Sequence, residues 1–261
     1  LTVLNTDSRL ASPPAAIQIL ERLLTGVKRD SYDLIFKKVD SVLRGAVLTE
    51  LEFVLSRLAF TGTLLVPQNP SRTRVIDRGV YKLGNQPLHT THFAFDPHHP
   101  AMTSQAIRLL GHSDTFDTRL VDPAEPMPDS GILLGNGTSL DDLSAWAEKC
   151  PAGVLPAGGA DFFRAMPDRQ AGGRPAQQAA FELPAGKRLF VCGTSVLSSR
   201  EAVARKALES GIPRVSMPDD IIADRATSDQ IERWAHDVSE ALTRHGSALA
   251  DIAHPIQLSG G

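Results

Sequence analysis

The strongest constraint on the fold is a regular alternation of short apolar runs with longer amphipathic segments. Apolar runs at 2–5, 32–37 and 63–66 have the composition of buried strands, and segments opening at Ser12 and Ala46 carry apolar residues at helical spacing. A βαβαβ order of this kind predicts a parallel sheet with right-handed crossovers and helices on both faces. We therefore expect an α/β fold.

The alternation continues through the rest of the chain. Further strands are predicted at 131–134, 153–156, 188–192, 214–217 and 256–258, and further helices from Ser139 and over 161–166, 199–210 and 228–244. Between residues 166 and 186 the composition shifts to Pro, Gly, Gln, Ala and Arg without periodicity, as in a connecting segment.

These patterns predict a first α/β domain at 1–166, a linker or surface excursion at 167–186 and a second α/β unit at 187–261. The last apolar run leads into Ser259, Gly260 and Gly261, a sequence that normally opens a turn into another helix. We therefore expect the second unit to be only the beginning of a domain.

Composition narrows the class of function. The chain has 261 residues, a formal net charge of −3 and charges of both signs throughout, which disfavours a dedicated nucleic-acid binder. Cys150 and Cys192 form no CxxC pair, so neither a disulfide framework nor a structural zinc site is expected. No apolar run approaches the ~18 residues of a membrane span, and no signal-peptide pattern opens the sequence. We expect a cytoplasmic protein without membrane partners.

The stretch at 37–45 is unusually polar for its position between a predicted strand and a helix. It holds two cations, a carboxylate, a hydroxyl and a guanidinium, on Lys37, Lys38, Asp40, Ser41 and Arg44. Open α/β sheets bind ligands at the carboxyl ends of their strands, and Gly45 allows the backbone to approach a ligand. Cations attract anions, and an aspartate accepts a proton or holds a hydroxylated ligand. The stretch predicts a site for a small anion, and the alternative is an exposed loop with solvated charges.

A second polar loop, residues 5–9, follows the first predicted strand and should lie on the same edge of the sheet. Asn5 and Arg9 are candidate ligand-binding residues there. Asp7 and Ser8 are equally consistent with turn and capping hydrogen bonds. This loop and the 37–45 stretch are expected to line one crevice.

A third loop, residues 67–74, follows the strand predicted at 63–66 and contains two prolines and two guanidinium groups. Arg72 and Arg74 are each as consistent with solvent exposure as with ligand binding. Three consecutive strands that end in cationic loops are nevertheless what a carboxylate or phosphate site would need.

Several common motifs are absent. His89, His92, His98 and His99 fall in no HExxH-type frame and have no carboxylate partner on a common helix face, so no metal site is expected. Residues 193–195 precede a predicted helix, where free N–H groups and the helix dipole favour a phosphate. Neither a GxxxxGK[ST] loop nor a GxGxxG turn occurs, so ordinary P-loop and dinucleotide sites are not supported.

The string Lys-Val-Asp-Ser-Val-Leu-Arg-Gly at 38–45, the proline-containing loop and the segments at 79–81 and 91–97 resemble the four-carbon acid sugar kinase family. Residues 5–9 are similar to an NTxSR-like segment of the same family. The family has a Thr and an Asn where Val42 and Ala46 stand. The resemblance extends over most of the chain.

The resemblance implies an ATP-dependent kinase, with Mg²⁺, that phosphorylates a four-carbon sugar acid such as threonate, erythronate or 2-oxo-tetronate. It implies an amino-terminal substrate domain and a carboxy-terminal nucleotide domain, both α/β, with in-line transfer of the γ-phosphoryl group. With Arg72 of the third loop, the substrate residues would be Asn5, Arg9, Lys38, Asp40, Ser41 and Arg44. The residues on the ATP side would be Gly193, Thr194, Ser195, Ser259, Gly260 and Gly261.

The catalytic base is left open between Asp40 and the family's Asp-Asp-x-Thr-Gly segment, which has no counterpart in this sequence. The expected partners are the sugar acid and ATP, and homo-oligomerisation stays open. A rival function is a catalytically silent protein that binds a sugar acid without turning over ATP. A sugar-phosphate isomerase or dehydrogenase is a second rival, but it would need a nicotinamide fingerprint or a metal set, and neither is found.

Overall fold

The computed structural model describes residues 2–171, 185–194 and 197–252, and its contacts divide the chain into two compact units, Leu1–Ala176 and Gln177–Gly261. Each unit has its own parallel sheet. The α/β class predicted from the alternation is confirmed. Within the described ranges, no helix is long and apolar enough to cross a lipid bilayer.

The first unit contains eight described strands and five α-helices. The strands are β1 (Lys37–Lys38), β2 (Gly62–Val66), β3 (Arg74–Asp77), β4 (Val80–Leu83), β5 (Gln86–Pro87), β6 (Thr118–Val121), β7 (Gly131–Gly135) and β8 (Val154–Gly158). The helices are α1 (Pro13–Leu23), α2 (Val47–Leu58), α3 (Ala106–Leu110), α4 (Leu140–Lys149) and α5 (Ala160–Ala171). Helix α5 continues five residues past the predicted end of the first domain at residue 166.

A five-stranded parallel sheet in the order β1-β8-β2-β7-β6 forms the centre of this unit. Every residue of β2, β7 and β8 is buried, as expected for strands covered on both faces. One face packs against α1 and α2 through residues such as Leu20 and Leu55, and the other packs against α4 and α5 through Trp146 and Phe162. This confirms the strands predicted at 63–66, 131–134 and 153–156 and the helices predicted from Ser12, Ala46 and Ser139 and over 161–166.

The first two predicted strands are wrong in extent. Residues 2–5 form no strand and are exposed. The run predicted at 32–37 pairs only at β1, which lies at the edge of the sheet and contacts β8. The preceding residue, Phe36, would face Pro156, whose ring nitrogen has no N–H to donate to a sheet ladder. Strand pairing therefore begins only at Lys37.

A small antiparallel sheet, β3-β4-β5, follows β2 and was not predicted. A backbone bridge between Asn69 and Arg74 and another between Ile76 and Gly137 fix it against the carboxyl edge of the main sheet. Tyr81 and Ile76 are fully buried and belong to the core beside α2. This sheet therefore determines where the loop at 67–74 ends and where Arg74 lies.

The second unit contains a parallel sheet in the order β10-β11-β9. Its elements are β9 (Arg188–Cys192), α6 (Leu197–Glu209), β10 (Arg214–Met217), α7 (Asp219–Ile222), α8 (Ser228–His245) and β11 (Ser247–Ile252). The predicted strands at 188–192 and 214–217 and the two long helices are confirmed. Strand β11 was missed because Asp251 interrupts its apolar pattern, although this side chain is buried and paired with Arg214 at 2.6 Å. The strand predicted at 256–258 lies outside the described residues.

Candidate functional site

Polar side chains from four segments of the first unit meet at the carboxyl edge of the main sheet. Arg9 lies 4.0 Å from Asp40, Arg74 donates to Ser41 Oγ at 2.5 Å, and Arg44 donates to Asp96 at 2.8 Å. We call this group, with Lys38, the Asp40 cluster; its members are Arg9, Lys38, Asp40, Ser41, Arg44, Arg74 and Asp96. The three predicted loops therefore converge, and the 92–101 segment joins them.

Asp40 is the most heavily bonded side chain of the cluster. Its Oδ1 accepts from the backbone N–H groups of Val42 and Arg44 at 3.0 and 3.3 Å and from Arg44 Nε at 3.1 Å. Its Oδ2 accepts from Arg44 Nη2 at 2.8 Å. Burial alone would raise the pKa of Asp40, but the hydrogen bonds and charge of Arg44, with the two amides, lower it below its ordinary value. Asp40 is therefore an anion at neutral pH.

Arg44 is held by two carboxylates at once. Its Nε and Nη2 form a bidentate pair with Asp40, and its Nη1 bonds to Asp96 Oδ2. The guanidinium carbon lies 5.4 Å from the ring centre of Phe93, within cation–π range. The other carboxylate oxygen of Asp96 accepts from the backbone N–H groups of His98 and His99. Arg44 thus fixes the orientation of Asp40 and connects two loops.

Ser41 and Arg74 form a second contact between the loops. Ser41 is buried, its carbonyl accepts from the Tyr81 hydroxyl, and its Oγ accepts from Arg74 Nη1. Burial and the nearby charge of Asp40 raise the pKa of Tyr81, so its hydroxyl stays a donor. Arg74 Nε is buried and has no hydrogen-bond partner among the described residues. The Arg74 guanidinium also lies 5.4 Å from the Phe93 ring centre.

Lys38 is exposed over much of its side chain, and its partly buried Nζ donates to the Val39 carbonyl at 2.5 Å. Partial burial lowers the pKa of its ammonium group; Asp40 opposes this, and the positive charges of Lys37 and Arg74 add to it. Lys37 itself points elsewhere, since its Nζ lies 2.5 Å from the buried Glu50. Of these two lysines, Lys38 is the one that contributes its charge to the cluster.

The turn at 40–45 has an uncommon backbone. Leu43 has φ 63° and Gly45 has φ 91°, both in the left-handed region. A Cβ at Gly45 would lie 3.0 Å from the Arg9 carbonyl oxygen, so the close approach predicted for Gly45 involves another segment of the chain. Ser8 Oγ donates to Glu50 at 2.5 Å and helps to fix that segment.

Two predicted substrate residues lie apart from the cluster contacts. Asn5 is exposed and accepts from the Asp7 backbone N–H at 3.2 Å, as in a local turn. Arg72 is exposed in a short 3-10 turn, Pro70–Arg72, and its side chain makes no hydrogen bond or ion pair within the described ranges. Of the two arginines of this loop, Arg74 is the one in the cluster.

On the predicted ATP side, Gly193 and Thr194 connect the carboxyl end of β9 to the segment before α6. A Cβ at Gly193 would meet no atom of the described residues within 4 Å. This strand–loop–helix order fits a phosphate site. Ser195, Ser259, Gly260 and Gly261 lie outside the described residues.

In the part of the chain that the structure describes, no group of three or more His, Cys, Asp or Glu side chains could hold a metal ion. Among the four histidines between residues 89 and 99, His89 Nδ1 contacts Ser104 Oγ and His99 Nε2 contacts the Arg9 carbonyl oxygen. No described residue is therefore assigned to Mg²⁺.

The sequence analysis missed the contributions of Asp96 and Tyr81. It left Arg74 as consistent with solvent exposure as with ligand binding. Asp96 contacts Arg44 across 52 positions, and Arg74 contacts Ser41 across 33. No local sequence pattern predicts contacts between residues so far apart in the chain. The one available signal was the concentration of polar residues after successive strands.

Residues 1–145, more than half of the chain, match a family model described as a sugar-binding N-terminal domain. The chain belongs to this family. A D-threonate kinase of Bordetella bronchiseptica is 37% identical over 114 residues, which cover 41% of this chain and 26% of that enzyme. The predicted membership in the four-carbon acid sugar kinase family is confirmed.

Two solved structures have the same fold as this member of the sugar-binding domain family. A Haemophilus influenzae protein aligns with a TM-score of 0.62 at 19% identity, covering 95% of this chain and 64% of its own. A Bordetella bronchiseptica domain of unknown function, a domain-swapped dimer with bound citrate, aligns with a TM-score of 0.54 at 21% identity, covering 99% and 62%. The chain spans less than two thirds of the length of either protein. At these identities the likeness shows the fold alone.

Proposed function

We propose that this chain contributes the acid-binding part of an ATP-dependent kinase that phosphorylates a hydroxyl of a four-carbon sugar acid of the threonate, erythronate or 2-oxo-tetronate type. The observation that carries the proposal is the Asp40 cluster, in which a fixed carboxylate faces several cations at the carboxyl edge of a parallel sheet. The relative named D-threonate kinase supports the same substrate class.

In the proposed mechanism, cations of the cluster hold the substrate carboxylate and Asp40 orients the reacting hydroxyl. Asp40 Oδ2 has one bond to Arg44 and only a 4.0 Å contact with Arg9, so it can accept a hydrogen bond from a hydroxyl. Because the pKa of Asp40 is lowered, this carboxylate orients the hydroxyl and takes its proton only as the new P–O bond forms. Exposed Asn5 and Arg9 would contact the substrate from the rim of the site.

ATP with Mg²⁺ would supply the phosphoryl group, and positioning and charge neutralisation would account for most of the rate enhancement. We assign the ATP phosphates to the loop after β9, at Gly193 and Thr194, within the predicted nucleotide unit 187–261. Mg²⁺ commonly binds through phosphate oxygens with few protein ligands, which agrees with the lack of a preformed cluster among the described residues. Cytoplasmic localisation and homo-oligomerisation remain predictions.

Isothermal titration of the chain with threonate and with erythronate tests the proposal. We expect saturable binding of at least one acid, weakened about tenfold or more in Asp40→Asn because a charge-assisted hydrogen bond is lost. If the folded chain binds neither of these acids nor 2-oxo-tetronate, the proposal is wrong.

A coupled assay for ADP release, run on the complete product of the gene, separates a kinase from a silent binding protein. We expect ADP release that depends on the same acid that binds in the titration. Binding without ADP release would instead identify a catalytically silent sugar-acid-binding homologue.

A further inference from the structure

The charges of the Asp40 cluster do not balance around Arg44. Arg44 is a single cation that bonds to two carboxylates, Asp40 and Asp96. Lys38 and Arg74 add two cations, and neither makes an ion pair with any described residue. Arg9, 4.0 Å from Asp40, is a fourth cation, so the six charged side chains of the cluster carry two excess positive charges, one of which a monocarboxylate would neutralise.

The two guanidinium groups differ in the donors that they have available. Arg44 uses all three of its nitrogens in bonds to carboxylates. Arg74 uses only Nη1, which donates to a neutral hydroxyl on Ser41, and its Nε is buried without a partner in the described ranges. An unpaired buried donor is costly, so a new acceptor beside Arg74 is favourable, whereas Arg44 already has three of its five N–H donors bonded to carboxylates.

The position of Arg74 is fixed by its surroundings. Arg74 begins β3, its backbone bonds to Asn69 in both directions, and Phe93 lies against its guanidinium. Lys38 bonds to the Val39 carbonyl just before Asp40, and Arg74 bonds to Ser41 just after it. A point charge and a fork-shaped donor are thus held on the same turn, an arrangement that suits a carboxylate.

We infer that Arg74 and Lys38 form the subsite for the substrate's carboxylate, and that Arg44 is a positioning residue that orients Asp40. The inference rests on the proposed function and names the residues that select a sugar acid over an uncharged polyol. Arg74 thus takes the place of Arg44 and Arg72, which the sequence analysis named among the substrate residues, as the arginine that binds the carboxylate.

The test compares threonate with the neutral polyol threitol, which lacks the carboxylate. In Arg74→Gln we expect threonate binding to weaken about tenfold or more, because a charge-assisted contact is lost, while threitol binding, measured by competition, changes less than about threefold. Arg74→Lys keeps the charge but not the fork and should give an intermediate loss for threonate. In Arg44→Gln both ligands should weaken, because Asp40 loses its orientation.

Arg78→Gln is the matched control, since Arg78 is an exposed arginine directly after β3 and lies outside the cluster. It should leave both affinities unchanged. If the wild-type chain binds threonate but Arg74→Gln keeps the full preference for it, the inference is wrong and the proposed function stands. The inference is equally wrong if Arg72→Gln, and not Arg74→Gln, removes the preference. If the wild-type chain binds no acid, the proposed function itself fails.

If circular dichroism shows that Arg74→Gln does not fold, Arg74→Lys and Lys38→Gln test the subsite instead. Lys38 is exposed, so its replacement should not disturb packing. Selective loss of threonate binding in both variants supports the subsite, and unchanged preference for threonate in both overturns it.

Discussion

At the scale of single residues, the site depends on side chains that hold one another rather than on isolated charges. Arg44 would be a costly guanidinium in a half-buried position without Asp40 and Asp96, and Asp40 would be a costly carboxylate without Arg44. The pair is therefore interdependent. Such an arrangement gives a fixed orientation for Asp40, and it leaves Arg74 and Lys38, with Arg9 at the rim, as the cations open to a ligand.

Gly45 is the residue whose replacement should show how closely the loops are packed. In Gly45→Ala the new Cβ would meet the Arg9 carbonyl at 3.0 Å in a backbone with φ 91°. We expect the free energy of unfolding in urea to fall by about 2–3 kcal/mol, from the left-handed conformation and the contact together.

Gly26→Ala is the control for Gly45→Ala, because Gly26 has φ 78° and no described atom lies within 4 Å of the added Cβ. It should cost roughly 1–2 kcal/mol, from the backbone conformation alone. Equal losses in the two variants would contradict a close approach of Arg9 to Gly45.

At the scale of elements, helix α5 holds the loop that carries Arg74. The buried Asp161 accepts from the backbone N–H and the hydroxyl of Ser71, both at 2.9 Å, and its own N–H donates to Asn69 Oδ1 at 3.0 Å. The turn before α5 brings Gly159 so close to Pro67 that a Cβ would lie 2.4 Å from the Pro67 carbonyl oxygen. The loop is thus positioned by a helix that contributes no side chain to the cluster.

We predict that Asp161→Ala lowers the free energy of unfolding by about 1–3 kcal/mol, since two donors of Ser71 lose their acceptor. Threonate affinity should fall several-fold as Arg74 loses its support. Denaturation in urea and calorimetric titration measure the two effects.

Asp141→Ala is the matched control, because Asp141 is the second residue of α4 just as Asp161 is the second residue of α5, and it is exposed. Both variants lose the same interaction with a helix dipole, worth about 0.3–1 kcal/mol. If Asp161→Ala costs no more than Asp141→Ala, the Ser71 contacts contribute nothing.

Elements were predictable from sequence where local pattern and burial agree. The continuous apolar runs of β2 and β7 and the capping serine of α4, Ser139, gave correct assignments. Residues 2–5 have a similar composition but no strand partner among the described residues, and β11 forms in spite of Asp251 because Arg214 and Ser216 bond to it. Contacts with distant parts of the chain determine whether residues 2–5 and 247–252 form strands, and a single sequence does not reveal such contacts.

The candidate site, like the secondary structure, was predictable only where a local sequence pattern marked its residues. The polar turn after β1 stood out locally, so Asp40 and Arg44 were named. The choice between Arg72 and Arg74 depends on which side chain the Asn69–Arg74 bridge turns toward Ser41, and the role of Asp96 depends on a contact 52 residues away. Neither fact can be read from spacing.

At the scale of the whole molecule, every member of the Asp40 cluster belongs to the first compact unit. We therefore predict that residues 1–176, expressed alone, fold and bind threonate with an affinity within about threefold of the whole chain, because compact units with their own core commonly fold independently. Circular dichroism and titration check this. A folded fragment that no longer binds would mean that the second unit contributes to acid binding.

The edge position of β1 also affects when the site can form during synthesis. Lys37 pairs with Ala157, and Val39 donates to the Gly158 carbonyl at 3.0 Å, so the strand that leads into the Asp40 turn has no pairing partner until those residues exist. Ribosomes add residues at about 5–20 per second, so the turn waits on the order of ten seconds for its neighbour. A nascent chain that ends before Gly158 should not bind a sugar acid, even when it already contains every residue of the Asp40 cluster.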